Sequence, residues 1–215
     1  MKKNRFFALL SLILCGVIIS TQFSANAEAA NIQMNDGKLQ VFIGSTDGMS
    51  SIQANNYSKT QSNLLDNLSV ATPNDIGPAL ITFDSFLSTS EATALLSAVD
   101  SIDTVYMWIP NKEGRAIIDV ANNDIDNSIN YFFASLDLDN ATNEDYRRDM
   151  LELMEEYGIF AADVKAEYSA LDSLVGQAGI ANVDIIYSEV AVAMAAETHQ
   201  PISYICIPDK PDGTA

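Results

Sequence analysis

The stretch ALITFDSFLSTSEATALLSAVDSIDTVYMWIP, residues 79–110, carries the pattern of a strand, a helix and a second strand in succession. It opens on an apolar run, and Ser88 then stands three residues ahead of Glu91. A serine hydroxyl placed there accepts a bond from a free amide of the first helical turn, and the acid returns one to the serine backbone. Ala92, Leu95, Leu96 and Val99 follow at i, i+3, i+4 and i+7, which gathers four apolar side chains on one helical face. Residues 102–109 resume the character of a strand.

A second stretch, IFAADVKAEYSALDSLVGQAGIANVDIIYS at residues 159–188, repeats the pattern. Ser169 precedes Asp172 by three, and Leu171, Leu174, Val175 and Ala178 have the same helical spacing. Residues 180–187 form its closing strand. The two units agree in physical pattern rather than in letters. With no rare residue shared, a duplication and a chance recurrence of a common motif both fit.

Between and beyond the units, the chain supplies further elements. Asn111, Lys112, Glu113 and Gly114 mark a turn, so residues 115–121 form a hairpin with the strand before them. Asn122 or Asn123 then caps a helix whose apolar face is Ile125, Ile129, Phe132, Phe133 and Leu136. Thr142 and Asp145 open another, with Tyr146, Met150, Leu153, Met154 and Tyr157 turned to the core and Gly158 as its stop. An alanine-rich helix at 189–198 ends before Pro201, and residues 202–207 make a last strand. The fold class is therefore α+β: a mixed β-sheet with helices packed mainly on one face. Its opening has the βαββαβ order of a ferredoxin-like sandwich, extended by a second βαβ-type unit.

The ends of the chain read differently. Lys2, Lys3 and Arg5, the apolar run at 6–20 and the Ala25-Asn26-Ala27 site mark residues 1–27 as a secretory signal peptide. Cys15 follows the bulky Leu14 and the apolar run continues past it, which argues against lipid attachment. The expected location is secreted or extracytoplasmic, and the basic start and short chain suit a bacterial protein. Residues 28–78 read as a polar, partly disordered arm with one strand at 38–43 and a short helix at 61–68. The compact domain spans 79–208, and 209–215 form a flexible tail. No later segment approaches the ~20 apolar residues of a membrane span.

With 29 acidic and 11 basic residues the net charge is −18. Signal cleavage would remove Lys2, Lys3 and Arg5 and no acid, so the remaining chain is more acidic still. Such a surface repels nucleic acid and anionic lipid and favours solubility, cations or a basic partner. Cleavage would leave Cys206 as the one cysteine, so no internal disulfide forms and burial holds the fold together. Cys206 lies in an apolar strand and reads as an inert core thiol.

Few chemistries survive this inventory. His199 is the only histidine, and no Cys-x-x-Cys, His-Glu-x-x-His, Gly-x-Ser-x-Gly or glycine-rich phosphate loop is present. Asp137, Asp139, Asn143 and Asp145 alternate oxygen ligands in a way that suits calcium, the one cofactor the sequence suggests. The glycine of a calcium loop is missing there and Ala141 fills a ligand slot; helix capping by Asn140 or Thr142 accounts for the same residues. In the strand Val105-Tyr106-Met107-Trp108-Ile109, alternation puts Tyr106 and Trp108 on the face away from the helices. They are the candidate recognition residues; the plainer reading is a strand buried on both faces. The functional expectation is an exported, non-catalytic acidic domain that binds a protein or cell-envelope component. A protease-propeptide-like inhibitor or chaperone module is an alternative resting on general shape alone. A carboxylate hydrolase is another, and it requires two acids converging in one recess.

Overall fold

The computed structural model describes residues 32–46, 49–112 and 114–211. The expected signal peptide lies outside these. The elements are β1 (Ile32–Asn35), β2 (Lys38–Ile43), α1 (Ser51–Ala71), β3 (Ile76–Leu87), α2 (Thr89–Leu95), β4 (Ser101–Trp108) and β5 (Arg115–Asp119). They continue with α3 (Ile125–Ser135), α4 (Glu144–Glu155), β6 (Gly158–Glu167), α5 (Tyr168–Leu174), β7 (Ile180–Ile185), α6 (Glu189–Thr198) and β8 (Ile202–Cys206). The class is α+β, and the strands form two sheets, of order β1-β2-β8 and β5-β4-β6-β3-β7. No helix of the described residues is long and apolar enough to cross a membrane.

The chain divides into two compact units. The smaller holds residues 32–42, 46–61 and 187–205. Asp36 and Gly37, both at positive φ, make the tight turn that joins β1 to β2. The β2 strand also runs parallel to β8: Leu39 N donates to Pro201 O at 2.9 Å, and Ile207 N to Ile43 O at 2.9 Å. Both pairing senses thus meet on β2. Buried Leu39, Val41, Tyr57 and Ala191 supply its apolar interior.

The region expected as a polar arm carries this hairpin and a 21-residue helix, where the sequence suggests only a short one at 61–68. Ser50 and Gln53 start α1 as a capping box, with Ser50 N donating to Gln53 Oε1 at 2.9 Å. The buried stripe of α1 is Tyr57, Gln61 and Leu65, at four-residue spacing. A glutamine in the middle of that stripe hides it from a search for apolar periodicity.

The larger unit holds residues 43–45, 62–186 and 206–211 of the described chain. Its five-stranded sheet is antiparallel at every junction. The two strand–helix–strand units are both present, and they interleave. β6 fills the gap between β3 and β4, and β3 fills the gap between β6 and β7. Each unit is therefore a split βαβ, with the opening strands β3 and β6 paired at the centre, Ile81 against Ala162. β5 extends the edge as the hairpin partner of β4. Alternate residues Ala79, Ile81 and Phe83 of β3 enter one core with Val105 and Met107 of β4 and with helical Ile125, Ile129, Leu153, Leu171 and Leu174. On the opposite face Leu80, Tyr106 and Phe160 are buried as well.

The helix starts show where local signals decide. Ser88 and Glu91 form the expected capping box, with Ser88 N donating to Glu91 Oε2 at 2.8 Å. Ser169 is not a cap: α5 begins one residue earlier, and its amides at Tyr168 and Ser169 donate to Asp75 O and Pro73 O, both at 3.1 Å. Backbone carbonyls of the α1–β3 loop do there what a serine does at α2. The cap of α3 is Asp124, not Asn122 or Asn123. Asn123 instead accepts from Ile102 N at 2.9 Å and donates to Asp100 O at 3.0 Å. The cap of α4 is Asn143 rather than Thr142. Tyr146 and Met154, expected in the core, are exposed, while Met150 and Leu153 of the same helix are buried.

Candidate binding face on the five-stranded sheet

On the face away from the helical core, four aromatic rings meet. Phe160, at an irregularity of β6, lies edge-on to Trp108, Tyr106 and Phe86, with centroids 6.1, 6.2 and 6.4 Å away. Edge-to-face contact sets the positive rim of one ring against the negative face of the next. Tyr106 is 6% exposed and Phe160 4%, whereas Trp108 is half-buried. The alternation read from the sequence thus places Tyr106 and Trp108 together, but Tyr106 is sealed and Trp108 carries the accessible surface of the pair.

Behind Tyr106 sits a polar group. Its hydroxyl donates to Asp163 Oδ2 at 2.9 Å, and Cys206 adjoins both side chains. Burial first, then the Asp163 charge, pushes the Tyr106 phenol far up. The same causes push the Cys206 thiol up. Burial raises the Asp163 carboxyl too, outweighing the hydrogen bonds from Tyr106 and Cys206 that favour its charge. Asp163 Oδ1 is buried without a hydrogen-bond partner. A thiol held protonated in this way is a poor nucleophile. Cys206 is half-buried rather than fully enclosed.

A second acid, Asp184, is fully buried on β7 and accepts from Asn182 Nδ2 at 2.8 Å. Leu80 is the register partner of both Asp163 and Asp184. The two acids are thus two strand spacings apart, about 10 Å, with Leu80 between them.

The segment after β8 lies on this face. Gly44, at φ +84, allows close approach: a Cβ there would run into Leu80 Cδ2 and lie 3.4 Å from the Pro208 backbone. Lys210, expected in a flexible tail, holds its ammonium 4.8 Å from the centroid of the Trp108 ring. The Trp108 indole N–H donates to Lys112 O. Arg115 is the register partner of Trp108 and Ile117 that of Tyr106, so β5 presents both on the same face. Arg115 is exposed, and Ile117 is 56% exposed.

The proposed calcium ligands do not gather. Both Asp137 oxygens accept from Asn140 Nδ2 at 3.0 Å, and Asn143 Oδ1 accepts from Tyr146 N at 3.0 Å. Asp145 pairs with Arg148 at 2.8 Å, and Asp139 faces Arg147 at 3.8 Å. Among the described residues no group of three or more His, Cys, Asp or Glu side chains is placed to hold a metal ion. His199 ends α6 in a left-handed conformation. A recess of about 880 Å³ opens between the tips of α2 and α3, but caps occupy much of its polar lining, notably Ser88, Asn123 and Asp124.

Arg115, Phe160, Asp163 and Lys210 are the residues of this face that the sequence reading passes over. For Arg115, counting outward from a turn at 111–114 gives residue 110 as the partner, whereas the observed partner is Trp108; strand alternation still puts 115 and 108 on one face. Nothing local marks the others. Comparison with protein-family models, with curated proteins and with solved structures finds no match of any of the three kinds.

Proposed function

We propose that the chain is an exported, non-catalytic binding domain that engages a protein or cell-envelope component through the Trp108 face. One observation carries this reading. On that face the groups able to do chemistry are a buried Tyr106 and half-buried Asp163 and Cys206, all three shifted toward their neutral forms, while Arg115 and Ile117 are exposed beside the half-buried Trp108. A half-buried tryptophan backed by edge-packed rings is a rigid contact that loses little entropy on binding. Export rests on the basic, apolar and Ala-x-Ala pattern of residues 1–27.

The test is in-cell crosslinking of the native exported protein through a photoreactive residue at position 117, read by mass spectrometry. The expected result is one reproducible protein or wall partner whose recovery falls in Trp108→Ala, on a mature chain that starts at Glu28. A protein recovered free, or a partner held equally by Trp108→Ala, overturns the assignment.

A further inference from the structure

The larger unit contains six described basic residues: Lys112, Arg115, Arg147, Arg148, Lys165 and Lys210. Four are in ion pairs: Lys112 with Glu152, Arg147 with Asp139, Arg148 with Asp145 and Asp149, and Lys165 with Asp103. The two without an ion pair among the described residues, Arg115 and Lys210, both stand at Trp108. In a chain of net charge −18 these cations could be neutralised in many places. Instead they flank the only tryptophan, on exposed positions. Arg115 and Lys210 thus set two positive charges beside Trp108, and the exposed acid of the same β5 face, Asp119, lies four residues from Arg115 at the far end of the strand.

We infer that this patch docks an acidic, extended peptide segment of a partner protein. The inference rests on the Trp108 face being the binding surface proposed above. Arg115 and Lys210 would each receive a carboxylate, and Trp108 and the exposed Ile117 would take apolar side chains. The geometry favours a peptide over an acidic polysaccharide because β5 is the edge strand of its sheet. An extended chain laid along β5 can pair with its outer backbone groups and place alternate side chains on the Arg115–Ile117 face. A polyanion held by charge alone would need a longer row of cations than two. Because the Lys210 ammonium stands over the Trp108 ring, a carboxylate that engages Lys210 changes the surroundings of Trp108.

The probe is an acetylated (Glu-Val)4 peptide, followed by the emission of the single tryptophan at low salt, with (Lys-Val)4 and polygalacturonate as comparisons. The full exported chain should bind (Glu-Val)4 with a shift in emission. Arg115→Ala and Lys210→Ala should each weaken binding about two- to fivefold, and the double variant about four- to twenty-five-fold. Both positions are exposed, so the variants retain the fold, which circular dichroism checks. Equal or tighter binding of (Lys-Val)4 overturns the inference in favour of diffuse acidity. Binding of polygalacturonate without the peptide overturns it in favour of a glycan. No response to any probe overturns the acidic ligand; if the crosslinked partner is still lost in Trp108→Ala, the binding face itself stands. Loss of both results removes the face as well.

Discussion

Asp163 shows how a single residue ties burial to pH. Its raised pKa means that the folded chain keeps the proton to higher pH than the unfolded chain does. The stability it contributes is therefore complete below the ordinary carboxylate range and is lost as pH rises through the raised folded value. Asp163→Asn cannot ionise. Urea unfolding of the two proteins between pH 4 and 7 should show the variant gaining on the wild type as pH rises; curves that stay parallel would contradict the burial argument. Cys206 belongs to the same group. With its thiol held protonated and half-buried, labelling by a thiol reagent at pH 8 should be slow in the native state and accelerate on addition of denaturant. The residues between which these effects arise lie on strands distant in sequence, so neither shift is written in the local sequence.

At the scale of elements, α2 and α5 make a controlled pair. Both are seven-residue helices with a serine near the start and an acid three residues on. Ser88 works as a cap, whereas the α5 amides bond to the Asp75 and Pro73 carbonyls. Ser88→Ala should lower stability by about 1 kcal/mol, while Ser169→Ala should stay within about 0.5 kcal/mol. Urea midpoints measure both, and equal losses would mean that the α5 start depends on Ser169 after all. The same distinction explains Asn123: a capping residue by composition, it is drawn off to hold the start of β4. Capping signals read from sequence give the place of a helix within a residue or two; which donor is satisfied by which acceptor depends on what the fold brings near.

For the whole molecule, charge is the dominant feature. A net charge of −18 repels itself more in the compact state than in the unfolded one. The five described ion pairs lie on partly or well exposed side chains and offset little of this. Raising sodium chloride from 10 to 300 mM shortens the screening length to a few ångströms, so the melting temperature should rise; a fall would show that the ion pairs outweigh the repulsion. The sequence by itself determined the α+β class, the two strand–helix–strand units, the hairpin of β4 with β5 and the cap at Ser88, because these depend on neighbours within a few residues. It also determined that Tyr106 and Trp108 share a face, since strand alternation has period two. Tertiary structure alone decided that the two units interleave, that Gln61 belongs to a buried stripe, that Tyr106 is sealed, and that Lys210 joins Arg115 at Trp108. The physical reason is the range of the forces. Helical and strand periodicity follow from backbone geometry, residue by residue, whereas burial and local charge are set by segments that sequence separates by tens of residues.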